Sequence, residues 1–189
     1  ADIGLLQNLE GVSAVAPKLQ LGGWRGNNNV HYGNKSGGFN ISGDLPSIQE
    51  FEAVTILSGR FINNGDVADN RKVCAIGEKV VSMLFEGEDP LGKYIRVNGV
   101  YFQVVGTFKP KSTANWDNGK ASTIHIPFST FQRAFNSLNM VHWFNVAVKP
   151  GFQASDVQAR AKIALGKRHH IHPEDPLAFG GWNMQESYQ

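Results

Sequence analysis

The pair Asn98-Gly99 sits between Tyr94-Ile95-Arg96-Val97 and Val100-Tyr101-Phe102-Gln103-Val104-Val105, and it constrains the fold more than any other part of the chain. A two-residue hairpin turn whose twist matches its strands needs positive φ at both central positions, and Asn-Gly adopts that conformation most readily. The chain therefore reverses here as an antiparallel hairpin. Upstream, Lys72-Val73-Cys74-Ala75-Ile76 has strand content and Gly77 breaks it. Glu78 to Phe85 then sets Val80, Val81, Leu84 and Phe85 on one helical face. Strand, helix and hairpin make one compact unit in the middle of the chain.

The flanks carry more elements. Ile3, Leu5, Leu6 and Leu9 predict a short helix with Asp2 near its N-cap and Gly11 beyond its end. Val12 to Leu21 reads as a strand, Gly22 to Asn29 as a polar tip, and Val30, Tyr32, Phe39 and Ile41 as a returning strand broken at Gly37-Gly38. Ser47 and Glu50 have the spacing of a capping box before Val54 to Leu57. Thr123 to Pro127 predicts a strand, and Ser129 the cap of a helix through Phe131, Ala134 and Phe135. Phe144 to Val148 alternates as a strand. Ser155 is the expected cap of a helix whose Val157, Ala161, Ala164 and Leu165 form one stripe. With a last strand expected around Phe179 to Met184, the end of the chain reads as a βαβ-like unit.

Composition narrows the function classes. Of 189 residues, 41% are hydrophobic and 18% charged, which supplies a globular core. The formal net charge is +2 and the basic residues are dispersed apart from the short group Lys167, Arg168, His169 and His170, so the basic stripe of a nucleic-acid reader is missing. Cys74 is the single cysteine, which excludes an intrachain disulfide and fits a cytosolic or a periplasmic setting equally. No apolar run reaches the roughly 18 residues of a membrane span. The abrupt start at Ala1-Asp2-Ile3-Gly4 and the stop at Ser187-Tyr188-Gln189 suggest a segment excised from a longer chain, so the missing apolar runs do not argue against a membrane-embedded parent.

Four motifs bear on chemistry. Gly87-Glu88-Asp89-Pro90-Leu91-Gly92-Lys93 has the spacing of a phosphate-binding loop. Tyr94 stands where a Mg²⁺-binding hydroxyl belongs, Glu88 and Asp89 would repel phosphate, and Pro90 removes an amide donor. A helix precedes this loop and a strand follows, the reverse of what phosphate binding needs. His169, His170 and His172 with Glu174 and Asp175 resemble a zinc set, but they follow a helix end, where cations also favour the helix dipole. No nucleophile elbow is present, and Cys74 lies among apolar neighbours rather than in an activating environment. His125 and His142 are isolated. Trp24 and Trp116 lie in Gly/Asn-rich loops, where exposed aromatics mark ligand or partner surfaces.

An ordered series in the middle of the chain then carries a resemblance. Gly59-Arg60-Phe61, Asp66, Val73 to Gly77, Leu84-Phe85, Asp89-Pro90-x-Gly92-Lys93, Ile95, Asn98-Gly99, Phe102 and Val104-Val105-Gly106 follow one another as in the MacB-like periplasmic core domain. That module lies between the first and second membrane helices of macrolide-exporter, lipoprotein-release and related permeases. Gly11-Val12-x-x-Val15-x-Pro17 and Ile126-Pro127-x-Ser129-x-x-Gln132 also fit. The match is tight from Gly59 to Gly106 and loose from Gly22 to Asp44 and after Lys149.

The resemblance implies an α+β fold. A porter-like mixed α/β subdomain is expected from both chain ends (1–57 and 121–189), with a smaller β-rich subdomain (58–120) inserted between them. It implies no catalytic residue, cofactor or metal in the domain itself, with ATP hydrolysed by a separate nucleotide-binding domain. The expected partners are a second permease subunit, a cytoplasmic ATPase reached through the membrane helices, and a periplasmic adaptor or chaperone. The expected location is the extracytoplasmic side of the cell's inner membrane. Tip loops set the cargo in such proteins, so Trp24, Arg25 and Trp116 are the candidate partner-facing residues. The competing readings are a stand-alone extracytoplasmic ligand-binding module using Trp24 and Trp116, and a metal-dependent enzyme built on the His169 cluster.

Overall fold

The computed structural model describes residues 2–22, 28–111, 119–138, 140–170 and, for the backbone alone, 183–186. The chain divides into two compact units, one made of 1–18 with 141–189 and the other of 19–140. The first is thus assembled from both chain ends, and the second lies between them in sequence. The expected subdomain boundaries at 57/58 and 120/121 are a different division, and both fall inside the middle unit.

The end unit contains α1 (Asp2–Gln7), β1 (Val12–Gly22, which continues into the middle unit), β10 (Trp143–Val148), α5 (Ala154–His169) and β11 (Asn183–Glu186). β10 runs antiparallel to β1 and parallel to β11, so α5 is the crossover of a βαβ unit, as its sequence pattern predicts. The core forms because one side of each element is apolar. Val12, Val15, Val146 and Val148 from the strands meet Leu6, Val157, Ala161 and Leu165 from the helices. Gly11 turns at φ +89, and a Cβ there would collide with Phe152 and Val157. The chain can therefore pass from α1 to β1 beneath the start of α5 only as glycine.

The middle unit holds β2 (Val30–Tyr32), β3 (Lys35–Gly37), β4 (Asn40–Asp44), β5 (Val54–Gly59), α2 (Asn64–Ala68), β6 (Val73–Gly77), α3 (Glu78–Leu84), β7 (Tyr94–Val97), β8 (Val100–Pro110), β9 (Thr123–Pro127) and α4 (Phe128–Ala134). The strands are ordered β4-β9-β6-β8-β7-β2-β3, with β5 beside β8. β7 and β8 form the expected hairpin, with Asn98 at φ 45 and Gly99 at φ 84. β6 runs parallel to β8 and β4 parallel to β9, and all five residues of β6 and of β9 are buried. Burial on both faces explains why β6 reads as a continuous apolar run rather than an alternating one.

Three expected caps are corrected. Ser47 opens no capping box; a 3-10 turn over Pro46–Glu50 begins at Leu45 without a side-chain cap. Pro127, not Ser129, precedes α4, and Gln153, not Ser155, precedes α5. The Ser129 hydroxyl instead donates to the Val67 carbonyl at 2.5 Å, so a long-range bond claims the group that local reasoning assigned to the helix.

Candidate functional site

The part of the middle unit with the densest polar organisation starts at Gly59-Arg60-Phe61. Gly59, at φ +68, pairs with Gly106 on β8, and the Arg60 amide donates to the Val105 carbonyl at 3.0 Å. A Cβ on Gly106 would overlap the Arg60 carbonyl, and one on Gly59 would overlap that of Val105. The two backbones are therefore in direct contact, closer than any side chain allows.

This crossing aims Arg60 at Asp66. Asp66 is fully buried and accepts from Arg60 Nη1 at 2.6 Å, Arg60 Nη2 at 3.0 Å and the Asn63 amide at 3.0 Å, with Arg71 Nη1 at 3.4 Å. The Asp66 amide in turn donates to Asn63 Oδ1 at 2.9 Å, which completes a capping box on α2. Burial by itself raises the Asp66 carboxyl. The Arg60 hydrogen bonds, the Asn63 amide, the Arg60 charge and Arg71 outweigh it and hold the group below the usual carboxylate range. The same hydrogen bonds raise Arg60 further. At neutral pH this is a fixed ion pair, with no proton to exchange.

Two bonds carry the arrangement from α2 to α4: Ser129 to the Val67 carbonyl, and Thr130 Oγ1 to the Arg71 carbonyl at 2.8 Å. A ring contact carries it inward. Phe61 lies edge-on to His125, with centroids 5.2 Å apart, and Phe108 lies 5.2 Å from the same imidazole. His125 Nδ1 meets Asp44 Oδ2 at 2.5 Å, and both side chains are excluded from solvent. This pair joins β4 to β9 across 81 residues of sequence. Sequence reasoning left His125 as isolated, and its partner Asp44 carried no local signal.

The Gly87 to Lys93 motif has a structural use. In the Gly87 to Lys93 loop, the Glu88 amide donates to Phe85, the Gly92 amide to Val104 and the Lys93 amide to Pro90. The Leu91 amide donates to Asp89 Oδ1 at 3.0 Å. These donors are directed into the protein, where a phosphate cradle would leave them open. Glu88 also accepts from Tyr32 Oη at 2.8 Å, which raises the phenol above its ordinary range. Cys74 is fully buried, and desolvation pushes its thiol far above the reactive range. His169 Nε2 lies 3.1 Å from Asp2 Oδ2. Among the described residues no group of three or more His, Cys, Asp or Glu is placed to hold a metal, while His172, Glu174 and Asp175 lie outside them. Trp24, Arg25 and Trp116 also lie outside the described residues.

The sequence profile of the MacB-like periplasmic core domain matches residues 1–164. The chain belongs to that family. As such a core domain it is the periplasmic domain of an ABC-type transporter permease, and it has the α+β fold expected of one.

Relatives agree. The macrolide export ATP-binding/permease protein MacB of Bdellovibrio bacteriovorus is 25% identical over the whole chain, which covers 28% of that protein. The pyoverdine export ATP-binding/permease protein PvdT of Pseudomonas putida is 29% identical over 74% of the chain and 22% of its own length. The core domain thus spans about a quarter of these relatives. Among solved structures, the extracellular domain of the ABC-type transporter YknZ from Gram-positive bacteria superposes with a TM-score of 0.76 at 19% identity, covering 91% of this chain and 84% of that one. The periplasmic region of MacB from Actinobacillus actinomycetemcomitans gives 0.69 at 20% identity, over 90% and 73%. Gly59-Arg60-Phe61, Asp66 and Gly106, quoted for the resemblance, are the residues of the buried crossing and its ion pair.

Proposed function

We propose that this core domain transmits ATP-driven conformational change from the permease to a periplasmic substrate or partner, and that it breaks no covalent bond itself. ATP hydrolysis would belong to a nucleotide-binding domain outside this segment, in keeping with relatives named as ATP-binding/permease proteins. The observation that carries the proposal is the family match across residues 1–164. The polar geometry supports it. Asp66 is held ionised by fixed partners, Cys74 is inert, and the loop amides of 87–93 are engaged. A transmitting lobe needs such rigidity, because packed elements pass on a displacement that loose ones absorb.

On this reading the domain acts in extracytoplasmic efflux or cell-envelope transport. Its partners are a second permease subunit, the ATPase reached through membrane helices, and a periplasmic adaptor or chaperone. The lobes that move are 1–57 with 121–189 against 58–120, and Trp24, Arg25 and Trp116 face the partner. Deleting residues 1–189 from the full-length permease tests the proposal. Basal ATP hydrolysis should persist while export is abolished. Export that continues without the domain would overturn it.

A further inference from the structure

The end unit carries a surface that the transport reading does not use. Leu5 of α1 and Arg160, Ile163, Ala164, Lys167 and Arg168 of α5 line a shallow depression of about 550 Å³. Its lining surface is mostly apolar, and Ile163 within it is 45% exposed. Its rim is cationic, with no carboxylate among the described lining residues. The opposite side of α5 is already committed, because Val157, Ala161 and Leu165 form the core stripe. The exposed Ile163 is thus a surplus apolar group on a helix that has its core face elsewhere.

The charges point one way. α5 holds Arg160, Lys162, Lys167 and Arg168 against a single acidic residue, Asp156. Asp2 takes up Arg168 at 3.0 Å and His169 at 3.1 Å, and Glu10 lies 3.8 Å from Arg160. These pairs hold Arg160 and Arg168 in place and offset part of the rim's charge. Lys167 is exposed and has no ion-pair partner among the described residues. Arg160, Ile163 and Lys167 follow one another at helical spacing, so one apolar tip stands between two cations.

We propose that this α1/α5 face docks on the anionic leaflet of a phospholipid bilayer, with Ile163 entering the acyl boundary and Arg160, Lys167 and Arg168 meeting phosphates. A cation-flanked apolar tip on an exposed helix face is the pattern of interfacial binding. A stable protein partner would bury on the order of 800 Å² of surface per side, more than this shallow depression offers. Each basic group near an anionic surface contributes about fivefold in affinity, so three of them give only weak binding. Weak binding suffices for a domain that its permease already keeps beside a membrane, because tethering replaces affinity with local concentration. The inference rests on membership of a permease family, not on force transmission.

The test is co-sedimentation of the 189-residue chain with vesicles of phosphatidylcholine alone or of phosphatidylcholine with phosphatidylglycerol. Binding is expected only with phosphatidylglycerol, and it should vanish near 1 M salt, where the screening length is about 3 Å. Lys167→Gln should weaken it about fivefold. Ile163→Ser should weaken it at unchanged charge, and Lys109→Gln, at an exposed position on β8 of the middle unit, should leave it unchanged. Circular dichroism of each variant confirms that α5 is intact. Equal binding to both vesicles, binding to neither, or indifference to both α5 substitutions would overturn the proposal. So would capture by an immobilised acidic amphipathic peptide without vesicle binding. The deletion assay reads export, so failure here and failure of the transport reading are separable.

Discussion

Replacing Asp66 by Ala removes the centre of the buried polar arrangement, and its cost follows from the geometry. The substitution abolishes two charge-assisted bonds from Arg60 and the bond from the Asn63 amide. The Arg60 side chain is 41% exposed and regains water, so its loss belongs at the low end of the range for charged hydrogen bonds, about 2 kcal/mol. Loss of the Asn63 amide bond, one half of the capping box on α2, adds about 1 kcal/mol. The total of about 3 kcal/mol lowers the melting temperature of a domain this size by roughly 6–12 °C. Urea unfolding followed by circular dichroism reads the free energy directly, with Asn63→Ala as the variant that loses only the cap, about 1 kcal/mol.

The pH dependence supplies the sign. Asp66 titrates below its ordinary value of 3.8, so its ionised form is favoured by folding. Its contribution is complete above the unfolded value and is lost as pH falls through the folded one. The gap between wild type and Asp66→Asn should therefore be constant from pH 7 to about pH 5 and shrink below about pH 4. An Asp66→Ala effect under about 1 kcal/mol, or a gap that widens in acid, would refute the reasoning.

Three further outcomes are expected. Gly106→Ala, whose Cβ would overlap the Arg60 carbonyl, should cost more than about 3 kcal/mol or prevent soluble expression; Gly99→Ala, with open space but φ +84, should cost only about 1 kcal/mol. His125→Ala should destabilise by about 3 kcal/mol, and a double-mutant cycle with Asp44→Ala should show coupling of at least about 1 kcal/mol, both read from urea midpoints. Cys74 should resist a thiol reagent until the domain unfolds, at a rate set by unfolding rather than by reagent concentration.

What was legible in the sequence was local. Asn98-Gly99 fixes backbone angles within one turn, and the Val157, Ala161, Leu165 stripe fixes the buried face of α5. The parallel order of β10, α5 and β11 follows from the same pattern, because a helix of that length must cross over. What was not legible was either short or distant. α2 has five residues, too few for a periodic stripe, and its cap depends on Asn63 and Asp66 answering each other. The His125–Asp44 pair depends on β4 and β9 lying side by side, which no neighbouring residue announces. Arg60 and Asp66 were visible only as members of an ordered family series; the structure supplies the physical reason for them. Trp24, Arg25 and Trp116 rest on loop composition alone.

The central claim is that ATP-driven change reaches this domain as a movement between its parts. The direct measurement places spin labels at Lys109 and Asp156, both exposed and one in each unit, in a full-length permease with no other accessible cysteine. Their distance distribution is then recorded without nucleotide and with ATP trapped. A shift in the mean distance on trapping, with distances inside 58–120 and inside 1–57 with 121–189 unchanged, is the predicted result. An identical distribution in both states, in a preparation that still exports, would contradict it.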